Sequence, residues 1–243
     1  MKRIIKYLSE KVSRIIYFLI PSEIKNHINN SSNYINKKLN DEKDREVFEI
    51  FGTRLKKSLR FSNKKSIRKY AIDLALAESL QKSYKEDLIY LEFGVFKGNS
   101  ANLFSNYVDK LYVFDSFEGL PHEWEGQKQM GAFNLNKKIP KLNSNIVTNV
   151  GLVEETLDDF LKKYEPKIIF IHMDLDSYES TKFTLERIKP YLVKGSIILF
   201  DELYNYVNWK EGEYKALKEI FKDYEYVFKA FNINHEQAVI QIT

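Results

Sequence analysis

The stretch Tyr90-Leu-Glu-Phe-Gly-Val-Phe-Lys-Gly-Asn-Ser100 decides the fold. An apolar run, Leu88 to Leu91, stops at an acid, Glu92. A loop with two glycines, Gly94 and Gly98, follows, and a helical pattern opens near Ser100. Strand, glycine loop and helix let backbone approach a nucleotide-like ligand, because glycine adds no Cβ to hold it off. The spacing is G-x-x-x-G, not the G-x-G-x-x-G of dinucleotide sites. On its own it also fits an ordinary strand-to-helix turn.

Further along, Leu111-Tyr-Val-Phe-Asp-Ser-Phe-Glu-Gly-Leu-Pro121 gives a second short apolar strand that ends in an acid, Asp115, followed by Ser116. In nucleotide-binding α/β folds, an acid at the end of the second strand lies beside the first loop and accepts hydrogen bonds from ribose hydroxyls. From there strands alternate with helices. The patterns predict strands over 88–93, 111–115, 146–150, 167–174, 195–200, 224–231 and 237–242, and helices over 99–108, 153–164, 178–191 and 211–222. This alternation implies a doubly wound, mainly parallel, Rossmann-like sheet of seven strands with helices on both faces. The last two strands are separated by Asn232 to Glu236 alone, which suits an antiparallel hairpin rather than a helical crossover.

Two of these strands turn abruptly acidic. Ile168-Ile-Phe-Ile-His-Met-Asp-Leu-Asp-Ser-Tyr178 ends in Asp174 and Asp176, and Ile197-Ile-Leu-Phe-Asp-Glu202 ends in Asp201 and Glu202. With Glu92 and Asp115, these acids fall at strand C-termini, the rim where such sheets bind ligands. Carboxylates about 4 Å apart repel by about 4 kcal/mol per pair at an effective dielectric near 20. Protonation or a cation must relieve this. All-oxygen ligands suit a hard divalent ion, Mg²⁺ or else Ca²⁺ or Mn²⁺. Helix capping by Asp176 and Ser177 accounts for one acid but not for the rest. His172, two residues inside a buried strand, reads as a structural hydrogen-bonding residue before a catalytic one.

Glu92-Phe-Gly-Val-x-x-Gly-x-Ser100 and Phe114-Asp-Ser-Phe-Glu-Gly-Leu-Pro121 resemble the first two motifs of class I S-adenosylmethionine-dependent methyltransferases. Together with His172-x-Asp-x-Asp176 and Phe200-Asp-Glu202, they resemble more narrowly the macrocin O-methyltransferase group, which methylates sugar hydroxyls. The resemblance covers about 64–243. It implies that Glu92, Gly94, Gly98, Ser100, Asp115 and Ser116 bind S-adenosylmethionine. It further implies that Asp174, Asp201 and Glu202 hold Mg²⁺, and that Asp176 is the base. The group often has Asp-Asp where this chain has Asp201-Glu202, so Glu202, one methylene longer, departs from the pattern. Asn149-Val-Gly-Leu-Val-Glu-Glu-Thr-Leu157 and Tyr204-Asn-Tyr-Val-Asn-Trp209 also resemble segments of the group.

The expected function is thus Mg²⁺-dependent O-methylation of a sugar or glycan precursor. A metal-independent methyltransferase with another small-molecule acceptor and a non-catalytic, membrane-apposed partner of a glycan assembly complex are the competing readings. The chain has no cysteine, which excludes disulfides, thiolate zinc and thiol catalysis.

Charge is uneven. Residues 1–70 carry 18 Lys/Arg against 7 Asp/Glu, whereas residues 71–243 carry 20 against 27. The sequence therefore divides into a basic helical extension, 1–63, and the methyltransferase-like domain, 64–243. A basic extension suits an anionic surface such as phospholipid, nucleic acid or a phosphorylated substrate. Nucleic acid is not expected as a partner of the whole. Ile4, Ile5, Leu8, Val12, Ile15, Ile16 and Leu19 form a stripe within about 120° of a helical wheel, flanked by Lys2, Arg3, Lys6 and Arg14. Such a helix over 1–20 can lie on a membrane interface, pack on the domain or join two copies in a homodimer. No run approaches the ~20 apolar residues of a membrane span. Charges at Glu10, Lys11 and Arg14 speak against a secretory signal, so the expected location is cytoplasmic, with peripheral contact at the inner face of the membrane. Residues 26–40, rich in Asn, Ser and Lys, read as a linker, and helical stretches are expected over 41–59 and 64–84.

Overall fold

The structure is a computed structural model that describes residues 21–124 and 127–243. The amphipathic helix expected over 1–20, with its membrane or homodimer contact, lies outside the described residues. The chain divides into two compact units, 1–45 and 46–243. The described part of the first belongs to helix α1, Ser22–Lys57, which continues into the second. The linker expected over 26–40 is therefore helical. No glycine or proline occurs between Ser22 and Phe51, and Asn or Ser inside a helix costs only a few tenths of a kcal/mol against better formers. Polarity alone does not break a helix. No described helix is long and apolar enough to cross a membrane.

The second unit is built on one sheet of eight strands, not seven. In chain order these are β1 Leu59–Phe61, β2 Leu88–Phe93, β3 Leu111–Asp115, β4 Ile146–Val150, β5 Lys167–Met173, β6 Leu192–Phe200, β7 Tyr226–Asn232 and β8 Ala238–Ile242. The spatial order is β1-β7-β8-β6-β5-β2-β3-β4. Only the pairs of β8 with β6 and β7 are antiparallel. The added strand, β1, pairs in parallel with β7 through Leu59↔Ala230 to Phe61↔Asn232. Three residues are too few to show a period of two, so the sequence carries no signal for it.

The helices are α2 Lys64–Ser79, α3 Asn99–Ser105, α4 Val153–Tyr164, α5 Tyr178–Ile188 and α6 Glu213–Ile220. Alternation along the strands sends side chains to two separate cores. Tyr112 and Phe114 of β3, with Ile198 and Phe200 of β6, join one cluster with Leu157, Leu185 and Leu217 of α4, α5 and α6. Leu111, Val113, Ile197 and Leu199 join the other, with Ile67 and Ala71 of α2 and Phe104 of α3. Each fully buried Leu, Ile or Phe of this kind is worth about 1.5–3 kcal/mol over an exposed one. Val47 and Phe51, in the second unit's share of α1, belong to the first cluster, so this unit includes residues upstream of 64.

The strand order reverses at β2. Its neighbours are β3 on one side and β5 on the other, so their carboxyl ends flank a topological switch point. Ligands bind at such crevices in open α/β sheets.

Candidate active site

A cavity of about 370 Å³ opens at that switch point. One side is formed by Gly94, Val95 and Phe96 after β2, with Asp115 and Ser116 at the end of β3. The other side carries Asp174, Asp176, Asp201 and Glu202. Phe133 and Trp124 add apolar wall, and Phe133 meets Phe96 edge to face at 5.2 Å.

The glycine loop is locked by backbone bonds. Gly94 N–H donates to the Phe114 carbonyl at 2.9 Å, and Gly98 N–H to the Val95 carbonyl at 2.8 Å. Gly94 has φ +84, and a Cβ there would lie 1.7 Å from the carbonyl oxygen of Asp174. Only glycine lets β2 and the end of β5 approach this closely. Asp115 closes the loop from the other side. Its Oδ2 accepts from Val95 N–H at 2.7 Å and Phe96 N–H at 2.8 Å, and its Oδ1 from Phe117 N–H at 2.6 Å.

Three of the residues expected at the donor site do not line the cavity. Glu92 is fully buried and bonds to His172 Nδ1 at 3.0 Å. Gly98, φ +79, precedes α3, where a Cβ would come within 2.5 Å of the Leu142 side chain. Ser100 is buried in the first turn of α3. They stand behind the loop and shape it, while Gly94, Asp115 and Ser116 face the space.

The acid side is knitted by side chains from distant elements. Asp201 Oδ2 accepts from Lys64 Nζ at 3.0 Å, and its Oδ1 from Arg68 Nη2 at 2.7 Å and Gln237 Nε2 at 3.0 Å. His172 bridges Glu92 and Asp201, with Nε2 3.3 Å from Asp201 Oδ1. Burial alone would lower the His172 pKa, but hydrogen bonds to Asp201 and Glu92 outweigh it and raise the value to about 9. For Asp201, burial acts upward, and the hydrogen bond from His172 with the charges of Arg68 and Lys64 holds it well below the usual carboxylate range.

The remaining acids shift the other way. Crowding by protein and the charge of Asp201 push Asp174 up to about 7, although 25 % of its side chain stays accessible. Burial, then the charge of Asp174, raises Asp176 well above its ordinary value. Burial and the charges of Asp201, Asp174 and Asp176 do the same for Glu202. Behind them, Glu213 of α6 is fully buried and accepts from Glu202 N–H at 3.1 Å.

Carboxylate oxygens of Asp174, Asp176 and Glu202 lie within 4.8 Å of one another, as do ligand atoms of His172, Asp174 and Asp201. Glu202 Oε2 is buried and has no hydrogen-bond partner. An acceptor in that state suits a cation, so the residues fit a hard divalent ion.

Sequence reasoning missed Lys64, Arg68, Gln237 and Glu213. The spacing of Lys64 and Arg68 puts both on one helix face. Nothing along the sequence says that this face meets the acidic rim.

Residues 91–203 match a methyltransferase domain family. No curated protein matches the sequence. Solved structures similar to this chain include the calicheamicin methyltransferase CalS11, at 22 % identity over 82 % of this chain and 85 % of that chain, with a TM-score of 0.58. A second structure of CalS11 is described as a TDP-rhamnose 3′-O-methyltransferase; it matches at 22 % identity over 82 % and 86 %, with a TM-score of 0.52. The O-methyltransferase NovP matches at 17 % identity over 74 % and 79 %, with a TM-score of 0.54. These likenesses establish a shared methyltransferase fold.

Proposed function

We propose that this chain, which carries a class I S-adenosylmethionine-dependent methyltransferase domain, methylates a hydroxyl of a sugar or glycan precursor with the help of a divalent cation. The observation that carries this reading is one cavity joining a glycine loop to a carboxylate cluster. CalS11, whose described acceptor is a nucleotide sugar, supports the acceptor class.

The donor would lie along Gly94, Asp115 and Ser116. Asp115 engages three backbone donors, and a carboxylate has about four lone-pair sites, so it retains capacity for a ribose hydroxyl. The sulfonium methyl is already activated, and the chain's task is to align an oxygen with it. A lone pair of the acceptor hydroxyl forms the new O–C bond while the C–S bonding pair returns to sulfur, leaving S-adenosylhomocysteine. The hydroxyl proton passes to Asp176, whose raised pKa suits a general base. Asp174, Asp201 and Glu202 would hold the cation, which when bound would supply Lewis-acid polarisation of the acceptor hydroxyl.

Incubation with labelled donor and candidate sugar nucleotides tests the reading. EDTA is expected to abolish transfer and Mg²⁺ to restore it. Full activity in rigorously metal-free protein would reject the cation. It would favour a metal-independent methyltransferase, the reading that Lys64 and Arg68 on Asp201 support.

A further inference from the structure

Two cations reach Asp201 from helix α2, and they are held differently. Arg68 Nη2 donates to Oδ1 at 2.7 Å, and only 16 % of its side chain is exposed. Lys64 Nζ donates to Oδ2 at 3.0 Å from the wall of the cavity, with 38 % of its side chain exposed. The same ammonium lies 3.9 Å from Glu202 Oε1 and 3.9 Å from Glu236 Oε2. Asp201 and Glu202 belong to the proposed ligand set. Glu236 does not, and stands in the turn between β7 and β8. Lys64 opens α2, and Asn63 caps that helix by accepting from Ser66 N–H at 2.8 Å. The root of the lysine is therefore fixed, while its flexible four-carbon stem lets the ammonium swing between the ligand acids and Glu236.

We propose that Lys64 is an exchangeable counter-ion of the acid side: its ammonium balances Asp201 and Glu202 until a divalent cation binds, and then moves to Glu236. This rests on the cation-assisted reading above and keeps its ligand set of Asp174, Asp201 and Glu202. An ion bound to Asp201 Oδ2 at roughly 2.1 Å would lie within about 5 Å of an ammonium that is 3.0 Å from the same oxygen. Like charges at that range oppose one another strongly where water is partly excluded. Glu236 relieves the conflict, because it receives the ammonium without any movement of the backbone of α2. The half-exposed lysine also regains water as it leaves. Arg68, more deeply buried and with a planar head, stays on Oδ1 and keeps Asp201 in place. Lys64 thus opposes the ion, and Glu236 assists it through Lys64.

Binding of Mn²⁺ to the full-length protein, followed by loss of the free-ion electron paramagnetic resonance signal, tests the exchange. Lys64→Met keeps an unbranched stem and removes the charge. It is expected to tighten Mn²⁺ binding by roughly tenfold or more. Glu236→Gln is expected to weaken binding by roughly fivefold or more in the wild-type background, but by less than about twofold in Lys64→Met, where no ammonium needs a second partner. Circular dichroism and titration with S-adenosylhomocysteine establish that each variant is folded. Lys64→Gln, which can still donate to Asp201, takes the place of Lys64→Met if the latter does not fold, with the same expectation. A lysine that only supports the fold would lower stability when removed and leave Mn²⁺ affinity as it was. Unchanged or weaker Mn²⁺ binding in the folded Lys64 variant, or an equal effect of Glu236→Gln in both backgrounds, overturns the exchange. If neither the wild type nor the Lys64 variant takes up Mn²⁺, the cation-assisted reading itself falls, a distinct result.

Discussion

The two sides of the cavity are stabilised by different means. At the loop side, Asp115 is satisfied by backbone N–H groups 2, 19 and 20 residues away. At the acid side, Asp201 is satisfied by side chains 29, 36, 133 and 137 residues away. The first arrangement needs only a local sequence and a glycine. The second exists only once α2, β2, β5, β6 and the turn before β8 have come together. The loop side is thus a pre-formed surface. The acid side is a balance of charges that a change in any one partner disturbs.

The sharpest way to break this contrast is at the point where the two sides touch. Gly94→Ala places a methyl group against the Asp174 carbonyl, in a backbone conformation, φ +84, that side chains rarely adopt. The expected destabilisation is about 3–5 kcal/mol, measured by urea unfolding, because the clash meets backbone that cannot turn away. Donor affinity and metal affinity should fall together. A tolerated alanine would mean that the loop and the end of β5 move independently.

This contrast also explains what was legible in the sequence. β2, β3, β4 and α4 follow the expected bounds, since each is fixed by a local apolar pattern and a nearby breaker. Gly94, Asp115 and Ser116 were legible for the same reason: the motif is contiguous and its partners are backbone. Asp174, Asp176, Asp201 and Glu202 were legible as acids at strand ends. Their differing states were not, because Lys64 and Arg68 lie before the first predicted strand and Gln237 near the end of the chain. The three-residue β1 and the helical 26–40 were missed on other grounds. One is too short for a period, and the other was read from polarity although it lacks a breaker.

A smaller effect sharpens the loop side. Asp115→Asn replaces one acceptor oxygen by an NH₂ group that faces at least one backbone N–H. One or more of the three bonds is lost, which costs about 1–3 kcal/mol of stability. Calorimetric titration with S-adenosylhomocysteine should show weakened binding, while Mn²⁺ affinity stays near that of the wild type. Equal loss of both would show that the loop and the acids form one unit.

The effect most specific to the acid side, and small over any single pH unit for each group, is the dependence of stability on pH. Asp174 keeps its proton up to about pH 7 in the fold but releases it near 3.8 in the unfolded chain. The folded state therefore binds the extra proton between these values, and stability falls as pH rises through them. Asp176 and Glu202, raised for the same reason, extend the fall to higher pH. His172 acts in the same direction. Its folded value, about 9, exceeds the ordinary 6.5, so its contribution is complete below 6.5 and is lost as pH rises through 9. Asp201 works oppositely. Its depressed value gives stability that is present above 3.8 and lost as pH falls through the folded value. Between pH 6 and 9 the first group governs. Metal-free protein should lose about 1 kcal/mol per pH unit for each proton involved, seen as a Tm falling by about 2–4 °C per kcal/mol. Saturating Mg²⁺ favours the ionised carboxylates and should flatten the part of the slope due to Asp174, Asp176 and Glu202, but not the part due to His172. A metal-free profile that is flat from pH 6 to 9, or one that Mg²⁺ leaves unchanged, would show that these acids ionise without mutual cost and that the two sides of the cavity do not differ in the way their contacts suggest.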